Sequence, residues 1–97
     1  MKKAIKNNKD SLRTLPNIGK AIEEKLKRIG IDSKEEFLNK DPYEVFETLR
    51  KKVDPTLCRC ALASIVGANK GIPWYKITKD TAKEYEQRHP RHKWGNC

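Results

Sequence analysis

Apolar side chains along this chain recur at steps of three and four, and no stretch alternates as a half-buried strand does, so the pattern predicts helices throughout. Leu12 and Leu15 sit three apart behind Asp10 or Ser11, either of which suits a helix cap, giving a short first helix over 11–15. Pro16 cannot extend that helix, and Asn17 and Gly19 tolerate the positive φ that a tight turn needs. Beyond the turn, Ile18, Ile22, Leu26 and Ile29 share one face, leaving Lys20, Glu23, Glu24, Lys27 and Arg28 to solvent. Gly30 is placed for a left-handed stop, with Ile31 folding back behind it.

The next starts are also local signals. Ser33-Lys34-Glu35-Glu36 fits a capping box opening a short helix that carries Phe37 and Leu38. Asp41-Pro42-Tyr43-Glu44 puts a carboxylate at the cap and proline at the first helical position. That helix has Val45, Phe46, Leu49 and Val53 inward and ends near Lys52. Asp54-Pro55 repeats the device for the most apolar helix, about 56–69, with Leu57, Ala61, Leu62, Ile65 and Val66 inward and Gly71 and Pro73 closing it. Its small residues, Ala61, Ala63, Ser64, Gly67 and Ala68, allow a neighbouring helix close approach, so it is expected to be central. Trp74, Tyr75 and Ile77 are expected to pack back as an extended lid, and Thr78 to cap a last helix over 79–88 with a weak apolar face of Ala82 and Tyr85.

Composition narrows the class. Ninety-seven residues suit one domain, and no apolar run approaches the ~20 residues of a membrane span. Lys2, Lys3 and Lys6 lead into Asn7-Asn8-Lys9-Asp10 rather than an apolar core, so no export signal is expected, and three cysteines without one point to reduced thiols in a cytoplasm. The formal charge of +9 is uneven: residues 1–28 hold nine Lys/Arg against three acids, 29–57 five against seven, and 58–97 eight against three. Basic ends favour polyanions, nucleic acid first among them, although Lys/Arg runs also occur simply as solvated surface.

Leu15-Pro16-Asn17-Ile18-Gly19-Lys20 resembles the helix-hairpin-helix module, whose hairpin commonly reads Leu-Pro-Gly-hydrophobic-Gly, with Asn17 here in place of the first glycine. From about Leu12 to Trp74 the chain is similar to the small bacterial "pathogenicity locus" proteins of that class and to the C-terminal domain of TfoX-type competence regulators. The likeness also rests on Ile29-Gly30-Ile31, Asp41-Pro42-Tyr43, the 57–67 segment and Pro73-Trp74. It implies a SAM-like helix-hairpin-helix fold over about two thirds of the chain, and the residue pattern itself gives an all-α bundle of five or six short helices over 10–88, between a basic arm at 1–9 and a basic, flexible tail at 89–97.

Such hairpins typically contact a nucleic-acid phosphate, while many copies serve protein contacts or structure alone. A helix N-terminus supplies unpaired amides and a partial positive charge. The candidate phosphate site is therefore Asn17, Ile18, Gly19 and Lys20 with Arg13 in support, tempered by Glu23 and Glu24 just inside the helix. The expected partner is DNA, held by its backbone with little sequence preference. The alternative is a protein partner on the same surface.

No catalytic residue, cofactor or metal is expected. Helix-hairpin-helix glycosylases carry a lysine nucleophile two residues past the second hairpin glycine, and that position is Ala21 here. Cys58 and Cys60 point about 200° apart on one helix, which suits a small core residue at Cys58 better than a shared zinc. Trp74-Tyr75 could stack on bases but is better read as closing the core, which leaves Trp94 as the expected exposed aromatic.

Overall fold

The computed structural model describes residues 11–94; the arm at 1–9 and the end of the tail, 95–97, lie outside them. Five α-helices follow in order: α1 (Lys20–Arg28), α2 (Lys34–Leu38), α3 (Pro42–Lys52), α4 (Arg59–Lys70) and α5 (Thr78–Arg88). Two 3-10 turns, Leu12–Thr14 and Trp74–Lys76, complete an all-helical arrangement with no strand among the described residues.

Most boundaries sit where local chemistry places them. The Ser33 hydroxyl accepts from the Glu36 amide at 3.2 Å, and the Glu36 carboxylate accepts from the Asp32 amide at 2.9 Å. Asp41 accepts from the Tyr43 amide at 2.9 Å, with Pro42 opening α3. Gly30 and Gly71 take φ values of +88° and +76°. The amides of Ile31 and Ile72 then reach back to the carbonyls of Leu26 and Gly67, at 3.0 and 2.8 Å, satisfying groups a helix end otherwise leaves open.

Other boundaries differ from expectation. The first helix is only a 3-10 turn, with the Ser11 hydroxyl accepting from the Arg13 amide. Asp54 does not open α4: its carboxylate accepts the Thr56 amide at 2.9 Å, holding a local turn, and the helix starts at Arg59 with Cys58 as its cap residue. Thr78 is the first residue of α5 rather than its cap, because its hydroxyl donates to the Trp74 carbonyl at 2.9 Å. Cys60 is a free cysteine, partly buried on α4.

α4 is the central element, packed against α3, α5 and the Trp74–Lys76 turn. Leu62, Ile65 and Val66 from α4 meet Val45, Phe46 and Leu49 from α3 and Tyr85 from α5 in one core, which Leu12, Ile18, Leu26, Ile31 and Phe37 extend under α1 and α2. Small residues matter most at Gly67. A methyl group there would collide with the Ile72 carbonyl oxygen and the Asn17 side chain, so only glycine lets these groups approach the helix.

The described part of the tail is packed rather than loose. Trp94 lies against Phe46 and Tyr85, with ring centres at 6.0 and 5.4 Å, and its indole N–H donates to Glu86 at 2.8 Å. His92 stacks edge-on to both Tyr85 and Trp94. Burial, together with the nearby Arg50 and His89 charges, pushes its imidazole below the ordinary value, so it favours the neutral form. Trp94 is therefore not the exposed aromatic, and Trp74 and Tyr75 are, at 39% and 66%.

Candidate functional site

The segment between the first 3-10 turn and α1 is built from inside outward. Ile18 is buried and anchors it, while Pro16, Gly19 and Lys20 are exposed. Asn17 is the residue whose role the local pattern conceals. It adopts φ +69°, and its side chain turns inward to three backbone groups far along the chain. Its amide nitrogen donates to the carbonyls of Ser64 at 3.3 Å and Ile72 at 2.9 Å, and its oxygen accepts from the Trp74 amide at 3.2 Å. The turn is thus fastened to the end of α4 and the start of the Trp74–Lys76 turn. Gly19, expected to share the positive φ, is extended at φ −100° instead, because Asn17 alone makes the reversal.

Gly19 caps α1 without a side chain, so no hydroxyl or carboxylate occupies the amides of its first turn. The end is open to solvent, and a methyl group on Gly19 would meet nothing within 4 Å. An open helix start of this kind carries partial positive charge. Lys20 is the first helical side chain and makes no ion pair among the described residues.

Arg13 is held nearby. Its Nε donates to Glu23 at 3.0 Å, and Lys27 approaches the other Glu23 oxygen at 3.8 Å. Glu23 therefore stands between two cations, and its field at the helix start is largely offset. Glu24 remains exposed on the same turn. Of the five expected site residues, Ile18 anchors, Asn17 fastens, Arg13 is paired, and Gly19 and Lys20 form the accessible surface.

Among the described residues no three His, Cys, Asp or Glu side chains gather as metal ligands. No described helix is long and apolar enough to cross a membrane.

Comparison with known proteins agrees on the architecture. The sequence matches the family described as "Pathogenicity locus" over residues 5–94. A crystal structure of an uncharacterised protein from Listeria monocytogenes, in a triclinic form, is similar with a TM-score of 0.70 and 28% identity, covering 84% of this chain and 97% of that one. No curated protein matches the chain.

Proposed function

The chain belongs to the pathogenicity locus family, whose description names no activity, and we propose that it is a non-catalytic nucleic-acid-binding module of helix-hairpin-helix type. In this reading the exposed amides at Gly19 and Lys20 and the Lys20 ammonium hold a backbone phosphate of DNA. The observation that carries it is the exposed start of α1, where Gly19 leaves the first-turn amides without a side-chain cap, nothing lies within 4 Å of the place its methyl would take, and Lys20 makes no ion pair among the described residues; the starts of α4 and α5 also lack a side-chain cap. A helix start left open beside a free cation is suited to an anion.

The Leu15-Pro16-Asn17-Ile18-Gly19 pattern supports the hairpin assignment. Asn17 then does more than replace a glycine, since it supplies the positive φ and ties the hairpin down. Contact through backbone phosphates implies low sequence preference and strong salt dependence, and a cytoplasmic setting would bring the chain to its ligand.

Binding of a labelled DNA duplex, followed by anisotropy between about 50 and about 200 mM salt, tests this reading. Lys20→Ala is expected to weaken binding at the lower salt and reduce the slope of log affinity against log salt by about one. An unchanged slope, or no binding by the unmodified chain, would remove the phosphate site and turn the surface over to a protein partner.

A further inference from the structure

Tyr75 is the most exposed large apolar side chain among the described residues, and it is not there by looseness. Pro73 is extended at ψ 138°, after which the amides of Lys76 and Ile77 close the 3-10 turn onto Pro73 and Trp74 at 3.2 and 3.1 Å. Thr78 and Asn17 bind the Trp74 carbonyl and amide, fixing the turn at both sides. Trp74 meets Tyr75 edge to face at 6.0 Å, and the Tyr75 side chain is left 66% exposed beside a cavity.

That cavity, of about 480 Å³, is lined by Arg59, Tyr75, Lys76, Thr78, Lys79 and Asp80. Three cations face one acid, and Arg59, Lys76 and Lys79 make no ion pair among the described residues. Arg59 and Thr78 are the first residues of α4 and α5, neither of which has a side-chain cap. A ligand for this place needs a flat apolar face and negative charge alongside it.

We infer that the Tyr75 cavity is a base-stacking subsite for single-stranded nucleic acid, with Arg59, Lys76 and Lys79 holding the flanking phosphates. The inference rests on the nucleic-acid reading above and adds the class of strand. A base inside a duplex has both faces covered by its neighbours and offers Tyr75 nothing, whereas an unpaired base stacks on an aromatic ring whatever its identity. Asn17 joins the two places physically, since it forms the α1 turn and binds the Trp74 amide.

The test compares a labelled oligothymidylate with a labelled duplex, using the unmodified chain, Tyr75→Ala, Tyr75→Phe, Lys79→Glu and Lys20→Glu, with circular dichroism confirming that each is folded. Tyr75→Ala is expected to lose about ten-fold in single-strand affinity, with duplex affinity little changed and Tyr75→Phe close to the unmodified chain. Lys79→Glu is expected to weaken single-strand binding independently of the ring. If Tyr75→Ala binds the single strand like the unmodified chain, or loses both ligands equally, the stacking subsite is overturned. In that case a loss with Lys20→Glu leaves the phosphate site standing by itself. A selective Tyr75→Ala loss with Lys20→Glu silent keeps the stacking subsite and removes the hairpin site. If the unmodified chain binds neither ligand, both are overturned.

Discussion

Both α1 and α3 start near a proline, Pro16 ahead of the Gly19 cap and Pro42 as the first helical residue, and they treat their backbone amides in opposite ways. At α3 the Asp41 carboxylate accepts the Tyr43 amide, Arg88 donates to its other oxygen at 3.2 Å, and the same guanidinium lies 4.3 Å over the Tyr43 ring. Burial pushes the Asp41 carboxyl up, but the Tyr43 amide and Arg88 outweigh it and hold the group below its ordinary value. At α1 the cap is Gly19, which offers no side-chain hydrogen bond to the first-turn amides. A helix start closed by its own side chains contributes to stability. One left open contributes less, and its amides stay available to a ligand.

The open end is nonetheless firmly positioned, because the stabilising contacts lie beneath it. Asn17 reaches Ser64, Ile72 and Trp74, and Gly67 makes room for that approach. The sharpest way to break the comparison is therefore Gly67→Ala. Its methyl group must displace backbone at Ile72 and the Asn17 side chain, with an expected loss of about 3 kcal/mol in denaturant unfolding. Asn17→Ala comes next, leaving partly buried carbonyls unpaired and placing alanine at φ +69°, at about 2 kcal/mol. Asn17→Gly removes the backbone strain but restores none of the hydrogen bonds, so it should recover only part of that loss.

At the closed end the expected effect is smaller and depends on pH. Asp41→Ala should cost about 1 kcal/mol near neutral pH, as loss of a helix cap does. The folded-state value of Asp41 is lowered, so its contribution is present above the ordinary carboxyl value of 3.8 and is lost as pH falls through the folded value. Unfolding curves of the unmodified chain and Asp41→Ala should therefore converge below about pH 3.8. Least of all should stability respond to Lys20→Ala, whose side chain is exposed and unpaired. A thermal midpoint unchanged in that variant, beside weakened DNA binding, would place the two helix starts in different roles.

Much of this architecture was legible in the chain because its signals are local. The Ser33 and Asp41 caps, the glycine stops at Gly30 and Gly71, and the inward stripes of α1, α3 and α4 depend on residues within about five positions of one another. The candidate site was legible in part. Gly19 and Lys20 stand where the pattern of a turn feeding a helix puts them, exposed at the start of α1. The roles of the other members were hidden, since Arg13 pairs with a glutamate ten residues on and Asn17 faces the core.

Two misreadings have different causes, one local and one distant. Asp54-Pro55 resembles Asp41-Pro42 in type, yet at Asp54 the carboxylate is engaged by Thr56, and α4 begins only at Arg59. Trp74-Tyr75 and Trp94 are alike in composition and opposite in placement. The first pair is turned outward by a 3-10 turn fixed through Asn17, while Trp94 finds an aromatic wall of Phe46, Tyr85 and His92 contributed by α3, α5 and the tail. The sequence by itself determined the starts of α2 and α3 and the stops at Gly30 and Gly71, because a cap or a left-handed glycine acts within one turn. Only the tertiary structure decided which polar and aromatic side chains face inward, because Asn17 meets partners 47 to 57 residues away and no local pattern records who those neighbours are.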